Sequence, residues 1–104
     1  MVAQDGSVGV GLVVRSEIII ARESGSAYQQ GGANFITWDE ANSGNGPIGM
    51  IVLSPYAKAH GYSNRVAYTH GSTLRTVQEI FSLKPFLGDA SHSNDLRDLF
   101  TVFP

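Results

Sequence analysis

The most informative absence in this 104-residue sequence is cysteine. Without cysteine the chain has neither a disulfide framework nor a thiolate metal site, and its cellular compartment stays open. Long apolar runs are also missing, because no stretch reaches the roughly 18 apolar residues that a membrane-spanning helix requires. Residues 1–6 lack the basic start and the apolar stretch of a signal peptide.

Positive charge is also scarce, with seven Lys and Arg against nine Asp and Glu and a net charge of −2. This balance gives no electrostatic reason to expect a nucleic-acid partner. No run of like charges suggests an anionic membrane surface. The remaining composition, 42% hydrophobic and 15% charged, is that of a globular protein. We therefore expect a single domain over residues 1–104.

The stretch 33–40 is the most distinctive part of the chain, because a strand-like run ends in the adjacent carboxylates Asp39 and Glu40. A loop rich in Gly, Asn and Ser follows at once. Acidic residues at the carboxyl end of a strand are where open α/β sheets place ligand chemistry. The alternative is that both carboxylates simply solvate a strand end, and the local sequence leaves the two interpretations equally weighted.

Hydrophobic patterning predicts the order of the elements. Residues 12–28 favour a helix, although Ile18-Ile19-Ile20 also suits a strand, and a turn is predicted at 30–32. A strand over 34–38 follows. The nearly continuous apolar run 48–53 predicts a strand that is buried on both faces and central in its sheet. The loop between the two strands permits antiparallel neighbours.

The carboxyl-terminal third predicts two further helices. One begins near Thr69, Ser72 or Thr73 and ends before Pro85, without a capping box if Ser72 is the cap. Its expected core face consists of Leu74, Val77, Ile80 and Phe81. A short helix over 93–100 is expected to bury an apolar edge of Leu96, Leu99 and Phe100.

Few strands with about three helices make an α/β domain, but the chain offers little to cover a strand as apolar as 48–53. We therefore expect marginal stability, or self-association through an uncovered sheet. The sequence reads like the last third of a larger α/β sheet rather than a complete one.

Four blocks of sequence, taken in order, resemble one known family. They are Phe35-Ile36-Thr37-Trp38-Asp39-Glu40, residues 46–58 from Gly46 to Lys58, residues 68–81 from Tyr68 to Phe81, and Asn94-Asp95-Leu96-Arg97-Asp98-Leu99-Phe100. Together they resemble the carboxyl-terminal part of the phosphoesterase family of bacterial phospholipases C and acid phosphatases, in the alkaline phosphatase-like superfamily. The similarity covers residues 25–102, and residues 1–24 match more weakly.

The resemblance implies an α/β/α sandwich with a mixed sheet, and it implies metal-dependent hydrolysis of phosphate esters through a covalent phospho-enzyme. It assigns Asp39 and Glu40 as ligands of a divalent metal cation, whose charge would neutralise the phosphate. The substrate would be a small-molecule or phospholipid phosphate ester, and the family suggests a secreted or periplasmic location. The nucleophile and the other metal ligands of the family belong to a part of the chain that is not present here.

His70 and Ser72 match the family's position at the start of a helix, and they are expected near the substrate phosphate. A helix start and an imidazole both favour an anion, but ordinary packing by His70 and capping by Ser72 remain open. Lys58 and Arg75 can steer an anion or simply be solvated, and His60 and His92 are expected at the surface. The loop at 41–47 is shorter than in many members and holds no His, which leaves the substrate class open.

Three interpretations remain open at this point. The chain is the carboxyl-terminal piece of a metal-dependent phosphoesterase, a non-catalytic α/β binding domain, or an interaction module that pairs through a sheet edge. In the first case the chain alone, which lacks the nucleophile, is expected to be inactive.

Overall fold

A computed structural model describes residues 2–4, 25–43 and 45–103, with the side chains described from residue 25 onward. In these ranges the chain forms a mixed α/β arrangement of four short strands, two α-helices and two 3-10 turns. The strands are β1 (Val2–Gln4), β2 (Asn34–Thr37), β3 (Gly49–Leu53) and β4 (Ser63–Asn64). The helices are α1 (Ser26–Gln29) and α2 (His70–Ile80), and the 3-10 turns are η1 (Gly88–Ser91) and η2 (Arg97–Leu99).

The strands form one mixed sheet in the order β2-β3-β1-β4. β2 and β3 are antiparallel, with Asn34 opposite Leu53 and Thr37 opposite Met50. β1 is parallel to β3 and antiparallel to β4. The prediction that β3 is a central strand is therefore confirmed, and the antiparallel pairing that the loop permits is the one observed.

β3 is the most buried strand of the described chain, because alternate side chains enter two separate clusters. Met50 and Val52 are fully buried on one face, where they pack with Tyr68, Leu96, Leu99 and Phe100. Ile51 and Leu53 are buried on the other face beside Tyr28 and Ile36. The expectation that strand 48–53 is uncovered is therefore wrong, since both faces are packed and both edges are paired.

Helix α2 turns a polar face inward, which corrects the predicted apolar face. Its buried residues are Ser72, Thr76 and Gln78. Of the predicted face, Val77 and Ile80 are half-buried, whereas Leu74 and Phe81 are 39% and 69% exposed. The buried polar side chains form hydrogen bonds with the segment 85–96. Their burial therefore costs little, because their hydrogen-bonding groups keep partners. Leu96 N–H donates to the Thr76 hydroxyl at 2.9 Å. The Gln78 side chain donates to Pro85 O at 3.0 Å and accepts from Leu87 N–H at 3.0 Å.

Helix α2 begins after Thr69, one of the three predicted N-caps, and it ends before Pro85, as predicted. Thr69 is the N-cap and Ser72 stands at the third helical position of a capping box, so the case without a box, in which Ser72 is the cap, does not occur. The Ser72 hydroxyl accepts the Thr69 backbone N–H at 3.0 Å. The helix ends at Ile80, five residues before Pro85, because Ser82 adopts a positive φ of 53°.

The predicted helix over 93–100 is replaced by the single 3-10 turn η2. The predicted apolar edge is confirmed, since Leu96, Leu99 and Phe100 are all buried in the core. Tertiary contacts override the local preference for a helix. Lys58 N–H donates to Leu99 O at 2.8 Å, and Thr101 N–H donates to Tyr56 O at 2.7 Å. These bonds hold the chain extended at Phe100.

At the amino-terminal side, the turn predicted at 30–32 is confirmed, with Gln30 as the C-cap of α1 and Gly31 at a φ of 95°. Most of the predicted helix over 12–28 lies outside the described residues, and α1 begins only after Gly25. Across the described ranges, no helix has both the length and the apolar character needed to cross a membrane.

Candidate functional site

The carboxyl end of β2 is fixed against the amino end of β3. The Thr37 hydroxyl donates to Gly49 O at 2.8 Å, which holds the last pair of the ladder. The Trp38 ring then lies directly on Gly49, where a Cβ atom would collide with the ring. The absence of a side chain at Gly49 thus allows the Trp38 ring to pack over the amino end of β3, and Trp38 itself stays 43% exposed.

Asp39 and Glu40 follow in a bend just beyond this edge, and both are exposed. The Asp39 carboxylate accepts the Glu40 backbone N–H through Oδ1 at 2.9 Å, so one of its oxygens is engaged locally. The bend matters because neighbouring residues within a strand point to opposite faces. Because Asp39 and Glu40 lie outside the strand ladder, their side chains are free to point the same way. Binding of one metal ion by both carboxylates would require this.

His70 is brought to the same place by the fold. Its Nε2 lies 2.8 Å from the backbone oxygen of Asp39, although the two residues are 31 positions apart in the sequence. A carbonyl oxygen can only accept, so Nε2 carries the proton and donates it. The contact joins the end of β2 to the first residue of α2 and holds the imidazole against the backbone of Asp39.

Ser72 is placed underneath this contact rather than within the exposed site. It is fully buried, and its hydroxyl donates to Asn94 Oδ1 at 2.8 Å while accepting the Thr69 N–H. Gly71 packs so tightly against Ser93 and Asp89 that a Cβ atom would collide with the Ser93 hydroxyl. Ser72 therefore positions the helix start that presents His70.

The described residues do not complete a metal site. Among residues 25–43 and 45–103, no three His, Cys, Asp or Glu side chains converge on a point suited to a metal ion. A hard divalent cation takes about six to eight oxygen ligands. Asp39 and Glu40 are the right ligand type for such an ion, but on their own they supply only part of its coordination shell.

The two basic residues considered for anion steering are both paired. Lys58 Nζ lies 3.1 Å from Asp98 Oδ1, and Arg75 Nε lies 2.8 Å from Glu79 Oε1. Lys58 follows the carboxyl end of β3, whereas Asp39 lies at the opposite end of the sheet, because β2 and β3 are antiparallel. Lys58 therefore does not face the Asp39–Glu40 pair. His60 and His92 are exposed, as predicted.

Asp98 is the centre of a polar cluster that the sequence did not reveal. Its carboxylate accepts hydrogen bonds from Tyr62 Oη at 2.6 Å and Asn64 Nδ2 at 2.7 Å, besides pairing with Lys58. The Tyr62 hydrogen bond, followed by the bonds from Asn64 and Lys58, lowers the pKa of Asp98. The partners lie 34 to 40 positions away, so no local spacing could have indicated the cluster.

Comparison of the chain with models of protein families, with curated proteins and with solved structures gives no significant match.

Proposed function

We propose that this chain supplies the carboxyl-terminal part of a metal-dependent phosphoesterase with an α/β/α sandwich fold. In this proposal Asp39 and Glu40 are half of the ligands of a divalent cation, and His70 lies near the phosphate of the substrate. The remaining ligands and the nucleophile come from outside this chain. The single observation that carries the proposal is the 2.8 Å contact between His70 Nε2 and Asp39 O, which draws the two candidate features together.

The geometry of α2 supports a phosphate on the His70 side of the strand end. The first backbone N–H groups of any α-helix lack partners within the helix, and they form its positive end. His70 is the first residue of α2, and it is exposed. An anion held beside Asp39 and Glu40 by a cation would therefore also meet the helix start. The Ser72 hydrogen bonds contribute by fixing that start in place.

In this proposal the bound cation and the residues of this chain have different roles in phosphoryl transfer. The bound cation would neutralise the phosphate when the complete site is assembled. The residues of this chain would orient the two metal ligands. Trp38 and Gly49 set the bend that carries the carboxylates, and His70 fixes the backbone of Asp39. No residue of this chain is assigned as the nucleophile.

Hydrolysis of p-nitrophenyl phosphate tests this division of roles. We expect the isolated chain to show no turnover above a buffer control, with or without added Mg²⁺, Mn²⁺ or Ca²⁺. Metal-dependent turnover that disappears in Asp39→Ala and persists in the control variant Asp89→Ala would contradict the proposal. In that case the chain would hold a complete catalytic site of its own.

A non-catalytic interaction module is the second candidate, and one surface favours it. Phe81, Leu83 and Leu87, which we call the α2-end patch, are 69%, 52% and 59% exposed. The backbone N–H groups of Leu83 and Leu87 both bond to Gln78, so the patch is anchored around the end of α2. Exposed apolar clusters of this kind mark interaction sites more often than isolated apolar residues do.

Sedimentation velocity at several protein concentrations tests the second candidate. An interaction through the α2-end patch predicts self-association that Phe81→Ser weakens and that Val102→Ser, at a comparably exposed apolar residue, leaves unchanged. A monomer at all concentrations for the unmodified chain removes the support for self-association.

A further inference from the structure

A groove of about 350 Å³ opens at the carboxyl end of β3, away from the site described above. Leu53 at that end pairs with Asn34 at the beginning of β2, whereas Asp39 follows the other end of β2. A five-residue strand such as β3 extends about 13 Å at the usual rise per residue. The groove and the Asp39–Glu40 pair are therefore at opposite ends of the sheet and form separate sites.

The walls of the groove carry apolar as well as polar surface. Pro55, Ala57 and Ala59 line it, together with Tyr28 of α1. Its volume falls in the range of roughly 300–1,000 Å³ that is usual for small-molecule sites. An apolar surface of this size suits a compact aromatic or aliphatic body rather than a bare inorganic ion.

Three polar residues, Ser54, Lys58 and His60, line the same groove, and none of its lining side chains within residues 25–43 and 45–103 is acidic. Lys58 is held in place by Asp98 and by the Tyr62 ring, whose centroid lies 4.4 Å from Nζ. The Asp98 carboxylate also accepts hydrogen bonds from Tyr62 and Asn64, so Lys58 is not the only group that stabilises its negative charge. An ammonium group has three donors, which leaves Lys58 able to bind a second acceptor.

His60 is the most unusual residue of the groove, because its φ is +63° and Gly61 follows with a φ of +70°. Left-handed backbone is unfavourable for a residue with a Cβ atom, and such residues persist where the surroundings hold them. They are concentrated at ligand sites. The turn places an imidazole, which can donate a hydrogen bond, in the same groove wall as Lys58.

We propose that this groove binds a small organic anion, with its phosphate or carboxylate group on Lys58 and His60 and its apolar body against Pro55, Ala57 and Ala59. The cationic and hydrogen-bond-donating lining selects a negative group, and the apolar wall selects a molecule larger than the group itself. Lys58 and His60 are binding residues in this proposal, and no reaction is assigned to the groove. The proposal does not depend on the phosphoesterase function.

Titration of the ¹⁵N-labelled chain by NMR tests the proposal with matched probes. Phenyl phosphate and benzoate carry an apolar ring and a negative group, benzyl alcohol lacks the charge, and inorganic phosphate lacks the ring. We expect saturable shifts of the Ala59, His60 and Gly61 amide signals with at least one of the two ring-bearing anions. Which of the two binds more tightly identifies the preferred negative group. We expect about tenfold weaker binding of benzyl alcohol and inorganic phosphate.

Two variants localise the binding. Lys58→Met keeps the side-chain stem but removes the charge, and His60→Asn removes the imidazole while keeping a residue that tolerates a positive φ. Each variant is expected to weaken the binding of the tighter-binding anion about tenfold. His92→Asn, at another exposed histidine, is expected to leave its affinity unchanged. Because Lys58→Met also removes the pair with Asp98, the folded state of each variant is checked from its amide spectrum.

The proposal is overturned if neither anion gives saturable shifts in the groove. It is equally overturned if benzyl alcohol binds as tightly as benzoate, or if folded His60→Asn binds both anions as the unmodified chain does. Shifts confined to residues 38–40 and 70 would place the anion at the Asp39–Glu40 end and would also overturn it, while leaving the phosphoesterase proposal supported.

Discussion

The polar residues on the inner side of α2 are buried, whereas those at the end of β2 are exposed. On α2, Ser72, Thr76 and Gln78 are buried and their side chains bond to Thr69, Asn94, Pro85, Leu87 and Leu96. At the end of β2, Asp39 and Glu40 are exposed, and the His70 side chain bonds to the backbone oxygen of Asp39. The first region uses polarity to fix the fold, whereas the second leaves its carboxylate charge exposed to solvent.

The strongest test of this contrast removes core volume beside α2. Leu96 is fully buried, so Leu96→Ala is expected to lower the free energy of unfolding by about 2–5 kcal/mol through lost burial and a residual cavity. Val102→Ala is the matched control, because Val102 is 57% exposed and a change within about 0.5 kcal/mol is expected. Chemical denaturation measures both. A small effect at Leu96 would show that the segment 85–100 is not part of the core.

A subtler test removes one hydroxyl from the buried polar face. Thr76 Oγ1 donates to Ser72 O at 2.8 Å and accepts the Leu96 N–H, so Thr76→Val leaves a buried N–H without its partner. The expected loss is about 1–3 kcal/mol of unfolding free energy.

Thr73 in the same helix provides the control, because its buried hydroxyl oxygen has no hydrogen-bond partner among the residues that the structure describes. Thr73→Val is therefore expected to be neutral or stabilising in the same denaturation experiment. Equal losses in the two variants would mean that a β-branched change in α2, rather than the lost hydrogen bond, causes the effect.

A smaller effect is expected at the Asp98 cluster. The hydrogen bond from Tyr62 is the largest cause of the lowered pKa of Asp98, so the folded chain binds fewer protons than the unfolded chain in acid. The stabilisation is therefore present above the ordinary carboxyl pKa of about 3.9 and is lost as the pH falls through the lower folded value. Because the Asp98 side chain is 44% exposed, we expect less than about 1 kcal/mol.

Unfolding free energies from pH 2 to 7 measure this contribution. Asp98→Asn is expected to be less stable than the unmodified chain near neutral pH and to approach it at the acid end. Tyr62→Phe, which removes the 2.6 Å hydrogen bond, is expected to reduce the same acid-dependent difference. A constant difference across the whole pH range for Asp98→Asn would contradict the assigned origin.

The sequence predicted those parts of the fold that depend on local pattern. The apolar run at β3, the turn after α1 and the buried residues of Leu96-to-Phe100 were all visible as periodicity or as turn residues. The polar inner face of α2 was not, because Thr76 and Gln78 are buried only by virtue of partners 7 to 20 positions away. Apolar spacing pointed to Leu74 and Phe81, which the structure leaves exposed.

The candidate site was predictable to the same extent. Asp39 and Glu40 were identified as a strand-end pair, and His70 as the start of a helix. Their convergence depends on how β2 and α2 pack and has no local signal. The position of Lys58 at the far end of the sheet was equally hidden, because it follows from the antiparallel pairing of β2 with β3.

The most direct test of the central claim is Mn²⁺ titration of the ¹⁵N-labelled chain, read as paramagnetic broadening of amide signals. If Asp39 and Glu40 are half of a metal site, broadening is expected first at residues 38–41 and at His70, whose side chain contacts Asp39. Asp39→Asn and Glu40→Gln are each expected to remove it without changing stability by more than about 0.5 kcal/mol. Asp89→Asn should leave it intact. Broadening that is centred elsewhere, or that survives in both Asp39→Asn and Glu40→Gln, would contradict the claim.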